Sequence, residues 1–261
     1  MKILFISDIV GKPGIEILKR ELKGIVISEN VDLVIANSEN AADGFGLYPK
    51  LALEIFQAGV NIITLGNHTF DKKEILQIFS DKRIVRPINY PEAVGGNGYT
   101  FYIGKMGEKV AIINALGQIF MNPINSPFLE IEKVLENIKK ETNIIFVDFH
   151  AEATSEKKAF GYFLDGKVSA VVGTHTHVAT SDETILPNGT AYITDAGMTG
   201  PENSIIGMKK EKILQKFLTG MHLRYEVADE KGILEGVVIN INEMSGKANS
   251  IKRIKKETYV N

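Results

Sequence analysis

Polar residues capable of binding metal follow five of the apolar runs in this 261-residue chain. The last of these runs, SAVVGTHTHVAT at positions 169–180, ends in two of the five histidines. The other runs end in Asp, in Glu-Asn, in Asn-His and in a single His. Because ligands of α/β sheets gather at the carboxyl ends of the strands, we expect these side chains to converge. They are Asp8, Glu39, Asn40, Asn67, His68, His150, His175 and His177.

Carboxylate, imidazole and amide donors together suit a pair of metal ions. One carboxylate can bridge two ions about 3.5–4 Å apart, and such a pair activates water and clamps an in-line displacement at phosphorus. Imidazole suits iron, manganese or zinc. Taken singly, each residue also has an ordinary interpretation as a helix cap, a turn or a core histidine. Their joint placement at strand ends therefore favours a metal site. The chain contains no cysteine, which excludes thiolate ligands and a cysteine nucleophile.

Hydrophobic periodicity predicts strands that alternate with helices in the first part of the chain and hairpins in the last part. This pattern indicates an α/β protein with two sheets packed together and helices outside. The predicted strands are 2–7, 31–36, 59–65, 95–104, 109–115, 143–149, 168–173, 180–186, 190–194, 222–228, 233–242 and 248–255. The predicted helices are 13–29, 48–58, 72–79, 127–140, 156–164 and 204–218.

Composition excludes several classes of protein. The net charge of −2 provides no field that would attract RNA or an anionic membrane. No apolar run has the length needed to cross a bilayer, and the first apolar run is too short for a secretory signal. We therefore expect a cytoplasmic protein without a membrane partner. In the absence of repeats or linkers, we expect residues 1–261 to form a single domain.

The ordered series of motifs resembles the calcineurin-like metallophosphoesterases. It departs from their usual pattern in three places. The DIV sequence at Asp8 lacks the histidine of the usual D-x-H motif, Glu39 stands at the bridging position where the aspartate motif would be, and Thr69 follows GNH in place of an acid. These departures resemble the YmdB-like bacterial phosphodiesterases. The resemblance extends from Met1 to about Gly207 and is carried by MKILFISDIVGKPG, ANSENAADGFG, TLGNHTFD, FHAEATSEK, GTHTHVAT and ITDAGMTGP.

This resemblance implies a four-layer α/β/β/α sandwich of two mixed sheets flanked by helices. It implies two metal ions, with iron expected first and manganese or zinc as alternatives. Glu39 would bridge them, and a metal-bridging hydroxide would attack a phosphodiester, notably a 2′,3′-cyclic nucleotide. His68 would be the catalytic histidine. One ion would be bound by Asp8, Asn40 and His177, and the other by Asn67, His150 and His175.

Several alternatives stay open at this point. The same site could serve a phosphomonoesterase or nucleotidase, or a regulatory protein that binds a nucleotide or RNA, although the charge does not favour RNA. An amidohydrolase is disfavoured because its His-x-His motif would follow the first strand. The C-terminal strands could support a homo-oligomer. Phe45 and Phe70 are interpreted as packing residues, with base stacking as the alternative, and His222 is interpreted as structural.

Overall fold

Two β-sheets form the centre of the protein in the computed structural model, which describes residues 1–229 and 232–258. Nearly every central strand is a short run of apolar residues buried on both faces, as expected for strands covered on each side. The strands are β1 (Lys2–Ile6), β2 (Asp8–Ile9), β3 (Leu33–Asn37), β4 (Ile62–Thr64), β5 (Ile84–Val85), β6 (Tyr99–Ile103), β7 (Lys109–Leu116), β8 (Ile144–His150), β9 (Ala170–Thr174), β10 (Thr184–Ile185), β11 (Ala191–Ile193), β12 (Met198–Pro201), β13 (Gly232–Ile241) and β14 (Ala248–Thr258).

Both sheets are mixed. The first has the strand order β2-β12-β13-β1-β3-β4-β5, with β14 also paired to β13. Within it β1, β3, β4 and β5 are parallel, whereas β13 runs antiparallel to β1. The second has the order β10-β11-β9-β8-β7-β6, and its central strands β7, β8, β9 and β11 are parallel. The parallel strands of each sheet therefore end at one edge, where the loops carry the predicted site residues.

The apolar interior is divided into three layers by the two sheets. Between the sheets, Phe5 of β1 meets Phe146 of β8 with ring centroids 5.3 Å apart. The outer face of the first sheet packs against α1 and α2, and the outer face of the second packs against α3 and α4, where Phe149 stacks on Phe160. This is the expected α/β/β/α sandwich. The helices are α1 (Gly11–Glu29), α2 (Pro49–Ala58), α3 (Pro127–Glu141), α4 (Thr154–Leu164) and α5 (Lys210–Thr219).

Four predicted elements differ from the structure, and one of them, the strand predicted at 180–186, is reduced to Thr184–Ile185. The helix predicted at 72–79 is a 3₁₀ helix over Lys73–Gln77, a form that suits such a short connector. The helix predicted at 204–218 begins only at Lys210, because Ile206 and Gly207 adopt left-handed backbone conformations. The strand predicted at 222–228 makes one isolated bridge, between Met208 and Val227. Its alternating pattern instead reflects Tyr225 and Val227 packing on a small cluster around Ile213.

No helix in the described part of the chain has the length and hydropathy that a membrane-spanning segment requires. The assignment of residues 1–261 to a single domain stays a prediction. Residues 230–231 and 259–261 of that range lie outside the described residues.

Candidate metal centre

Seven side chains from both sheets converge at the carboxyl edge, and we call them the polar cluster. The first sheet contributes residues that follow the adjacent strands β1, β3 and β4. The second sheet contributes the last residue of β8 and two residues that follow β9. The cluster consists of Asp8, Glu39, Asn40, Asn67, His150, His175 and His177.

His150 lies at the centre of one half of the polar cluster. Its Nε2 atom lies 2.8 Å from Glu39 Oε1, 3.0 Å from Asn67 Oδ1 and 3.0 Å from His175 Nδ1. Ligands about 2.1 Å from one ion in octahedral geometry are themselves about 3 Å apart. Glu39, His150 and His175 offer ligand atoms that all lie within 4.8 Å of one another. This half of the cluster therefore has the spacing of a metal site.

The other half of the polar cluster is centred on Asp8, which is completely buried. Its Oδ1 atom lies 3.7 Å from His150 Nδ1 and 3.8 Å from His177 Nε2. The amide nitrogen of Asn40 donates to the carbonyl oxygen of Gly44, which leaves the side-chain oxygen of Asn40 for another partner. Asp8 and His177 thus stand beside the first half with more widely spaced ligand atoms, and Asn40 lines the same cavity as His177.

Two buried oxygens in the polar cluster lack any donor, and a third has only a histidine beside it. Among residues 1–229 and 232–258, Asp8 Oδ1 and Asn40 Oδ1 accept no hydrogen bond. Glu39 Oε1 accepts no hydrogen bond of good geometry, although His150 Nε2 lies 2.8 Å away. An unsatisfied buried carboxylate oxygen is costly, because it has lost water without gaining a partner. Bound cations would supply what these oxygens lack. The donor set of carboxylates, amide oxygens and imidazoles therefore fits metal ions on an observation independent of the motifs.

Each histidine of the cluster is held by one ring nitrogen, and its other ring nitrogen faces the cluster. His177 Nδ1 donates to the carbonyl oxygen of Ile206 at 3.0 Å, and His175 Nε2 lies 3.1 Å from Glu152 Oε2. His150 Nδ1 lies 3.0 Å from the hydroxyl oxygen of Thr174. Anchoring one nitrogen orients the imidazole and selects the tautomer whose lone pair points at a metal.

Glu39 and His150 form a strongly coupled buried pair, and a metal ion bound at His150 would displace its proton. Burial by itself raises the pKa of Glu39 and lowers the pKa of His150, but the attraction between the two groups reverses both effects. As a result, the pKa of Glu39 lies well below its ordinary value and the pKa of His150 lies well above it. Burial and the neighbouring His150 lower the pKa of His175 to about 3, so His175 is neutral and able to act as a ligand at neutral pH.

Gly66 allows the close approach on which this geometry depends. A Cβ atom at position 66 would lie 2.4 Å from His150 Cδ2 and 2.5 Å from Glu39 Oε2. Either contact is far inside van der Waals distance, and neither neighbour can move without disturbing the cluster. Glycine in the GNH motif thus lets the backbone after β4 lie directly against these two side chains.

The turn that carries His175 and His177 has a strained backbone. Both histidines have positive φ values, 99° and 60°, which non-glycine residues rarely adopt. Between them, the backbone amide and hydroxyl of Thr176 both donate to Asp195 Oδ2, at 3.1 and 2.8 Å. The same oxygen receives a hydrogen bond from Lys157 Nζ at 2.7 Å, and Lys157 also donates to the carbonyl oxygen of Thr174. The buried Lys157–Asp195 pair therefore holds the turn in place.

Replacing Lys157 with methionine is expected to destabilise the fold by about 3–5 kcal/mol, because Asp195 is left as a buried charge without its cation. Both side chains of this pair are only 1% exposed. Lys158 is the matched control, since its own side chain is 52% exposed and its half-buried partner Asp182 keeps hydrogen bonds from Thr180 and Thr194. Lys158→Met should change the free energy of unfolding by less than about 1 kcal/mol. Urea unfolding of both variants measures the difference, and equal losses would contradict the assignment.

His68 lies beside the polar cluster, and its ring nitrogens do not converge with the ligand atoms of the cluster. Its backbone amide donates to Glu39 Oε2 at 2.8 Å, and its Nδ1 atom lies 2.8 Å from Asp71 Oδ2. The edge of its ring contacts Phe45, with centroids 4.9 Å apart. Asp71 orients the imidazole so that Nε2 is available, an arrangement able to donate a proton or to bind a phosphoryl oxygen.

Sequence reasoning missed the residues that orient the cluster. Asp148 accepts hydrogen bonds from Thr174, Thr64 and Asn37, and burial raises its pKa to about 6. A single acid within the apolar strand NIIFVDF was a signal that a buried partner is required. The signal for Asp71 was its place three residues after His68.

Comparison with known proteins identifies the family. The family model described as YmdB-like protein matches residues 4–254. The chain belongs to the YmdB-like family. The family resemblance inferred from the motifs is therefore confirmed.

One curated relative and two solved structures show how far the likeness extends. A 2′,3′-cyclic-nucleotide 2′-phosphodiesterase from Bacillus subtilis (strain 168) is 48% identical over 255 residues, covering 97% of this chain and 96% of the relative. The crystal structure of a phosphatase from Mycoplasma pneumoniae has a TM-score of 0.93 at 35% identity, covering 99% of this chain and 94% of that one. The structure of the calcineurin-like phosphoesterase YfkN from Bacillus subtilis aligns with a TM-score of 0.56 at 11% identity. The alignment covers 98% of this chain and 90% of the YfkN chain. The last likeness concerns the fold alone.

These comparisons confirm the predicted class of enzyme and the predicted fold. The chain is an enzyme, a hydrolase that acts on phosphoric esters, and it has the calcineurin-like α/β fold. Within the polar cluster, Glu39, His150 and His175 form a candidate site for a metal ion. The individual ligands and the role of His68 stay predictions.

Proposed function

We propose that this YmdB-like protein is a two-metal phosphodiesterase that opens 2′,3′-cyclic nucleotides at the 2′ ester. The observation that carries the proposal is the pair of buried oxygens of Asp8 and Asn40 that accept no hydrogen bond, beside Glu39 and inward-facing imidazoles. The Bacillus subtilis relative, a 2′,3′-cyclic-nucleotide 2′-phosphodiesterase, supports this substrate and this bond. A small-molecule phosphodiester is therefore the proposed partner.

Two ions would be held by the two halves of the polar cluster, with Glu39 shared between them. Asn67, His150 and His175 would complete one half, and Asp8, Asn40 and His177 the other. When bound, the ions would supply Lewis-acid neutralisation of the phosphoryl oxygens and activation of water for in-line attack. Iron is our first choice, with manganese or zinc as alternatives, since imidazole and carboxylate suit all three.

His68 would complete the hydrolysis by protonating the leaving group. The oxygen of water would become bonded to phosphorus as the bond from phosphorus to O2′ breaks. A proton would pass from His68 Nε2 to O2′, which yields a 3′-nucleotide, and the proton released by the attacking water would return to His68 through solvent. Asp71, 2.8 Å from Nδ1, stabilises the charged imidazolium and keeps Nε2 facing the site. The buried partners of the other histidines hold the ligands rigid during this step.

The test is metal analysis of the purified protein together with a substrate panel. The panel contains the four 2′,3′-cyclic nucleotides, 3′,5′-cyclic AMP, bis-p-nitrophenyl phosphate and p-nitrophenyl phosphate. We expect two equivalents of metal per chain, rapid opening of the 2′,3′-cyclic nucleotides to 3′-nucleotides, and loss of this activity with chelator that added metal restores. Binding of a nucleotide without any turnover would instead make the chain a regulatory protein.

Phosphomonoester hydrolysis is the second candidate, because the Mycoplasma pneumoniae relative is described as a phosphatase. The two p-nitrophenyl esters separate the candidates. A diesterase cleaves the bis-ester faster, whereas a dominant rate on the mono-ester would replace our proposal with a phosphatase.

A further inference from the structure

An apolar cavity of about 380 Å³ opens directly onto the polar cluster. Glu39, Asn40, His175 and His177 line it on the cluster side, and His68 lines it as well. Its volume is within the range of about 300–1,000 Å³ that is usual for small-molecule sites. A phosphate placed at the cluster would therefore have its organic group beside or within this cavity.

The rest of the lining is aromatic and aliphatic. Phe45, Met208, Ile213, Phe217 and Tyr225 form most of it, with Ile213 and Phe217 one helical turn apart on α5. None of the described residues that line the cavity is a lysine or an arginine. The cavity is thus suited to an uncharged organic group and poorly suited to a second phosphate.

Aromatic rings connect the cavity wall to His68. The rings of Phe45 and Tyr225 are nearly parallel, at 21°, with centroids 6.1 Å apart, while His68 meets Phe45 at 77°. A planar group placed against these rings would lie next to His68 and to the polar cluster. Offset stacking of this kind is favourable for any aromatic ring system.

Phe217 lines the cavity and yet is 79% exposed. A large aromatic side chain left open to water at a site mouth gains free energy when an apolar ligand covers it. Its neighbour Leu218 is 85% exposed and is not among the described residues that line the cavity. The two positions therefore form a matched pair for testing what the cavity binds.

We infer that this cavity is the subsite for the nucleobase, and that it selects by aromatic surface rather than by hydrogen-bond pattern. The inference rests on the proposed function, because it assigns the base of the same substrate. Purines should bind somewhat better than pyrimidines, and all four bases should be accepted. A subsite built from hydrogen bonds would instead reject wrong bases strongly.

The first test measures binding and needs no turnover. Nucleoside 3′-monophosphate (3′-AMP) and inorganic phosphate are titrated calorimetrically into Mn²⁺-saturated wild-type protein and into the variants Phe217→Ala and Leu218→Ala. We expect Phe217→Ala to weaken 3′-AMP binding roughly tenfold and to leave phosphate binding unchanged. We expect Leu218→Ala to change neither. Circular dichroism verifies that both variants are folded.

Three other results would overturn the assignment of the cavity as the nucleobase subsite. Equal weakening of 3′-AMP and phosphate would place the effect at the polar cluster, and equal behaviour of the two variants would show that Phe217 contacts no base. Absence of 3′-AMP binding to wild-type protein would have the same meaning. If 3′-AMP binds as expected but cyclic nucleotides are not hydrolysed, the subsite stands and the proposed activity fails.

The second test compares kcat/KM for the four 2′,3′-cyclic nucleotides. We expect the values to lie within about a factor of ten, because contacts with an apolar wall differ little between bases. A preference for one base of more than about a hundredfold would show a specific hydrogen-bond reader and would overturn the inference.

Discussion

Glu39→Gln is expected to remove metal and activity together. Glu39 is the carboxylate proposed to be shared by the two ions: Oε1 lies 2.8 Å from His150 Nε2, and Oε2 accepts a hydrogen bond from the backbone amide of His68. The amide has nearly the same shape but no negative charge to offset two cations. Loss of groups that merely orient ligands typically weakens metal binding 10- to 100-fold. Loss of the shared ligand should therefore weaken it by more than about 100-fold.

Plasma emission analysis of metal content and assay of cyclic-nucleotide hydrolysis measure this effect. Glu54→Gln is the control, because Glu54 is a carboxylate that pairs with Lys19 outside the polar cluster. Circular dichroism shows whether the variant is folded. Full metal content in folded Glu39→Gln protein would remove Glu39 from the proposed ligands.

His68→Ala is expected to separate rate from metal content. His68 lines the cavity beside the cluster, but its ring nitrogen is bound to Asp71 instead of converging with the ligand atoms. The variant should keep its metal and should lose roughly 10²–10⁴-fold in kcat, the usual contribution of a general acid. Both quantities are measured on the same preparation, by emission analysis and steady-state kinetics.

His222→Ala provides the histidine control, since His222 is exposed on the segment before Tyr225. It should leave both metal content and kcat unchanged. A His68→Ala protein that turns over cyclic nucleotide at the wild-type rate would refute the role assigned to His68. One that loses its metal would place His68 among the ligands.

The positions of the site residues were predictable because the strands that carry them are strongly apolar. The runs before Asp8, Glu39 and His175 could form only buried strands, and parallel strands bring their carboxyl ends to one edge. Whether Phe45 is a packing residue or stacks on a base could not be decided in the same way. Its proximity to the cluster depends on the loop after β3, which approaches His68 and Tyr225 from distant parts of the chain.

What the sequence did not reveal are contacts between segments that are distant in the chain. Lys157 lies on α4 and Asp195 lies between β11 and β12, and only the packed sheets bring their charges together. The strand predicted at 222–228 failed for a related reason. An alternating pattern shows that one face is covered, but it does not show whether the cover is a neighbouring strand or a small apolar cluster.

The contact between Asp148 on β8 and Asn37 and Thr64 of the first sheet has a mechanical consequence. The hydrophobic effect is not directional, so contacts between apolar faces alone would define the relative position of the two sheets only weakly. The directional hydrogen bonds at this buried point fix the position of one sheet relative to the other. Distant substitutions in the interior that push the sheets apart should therefore be felt first at the catalytic edge, as a misfit between the two groups of ligands.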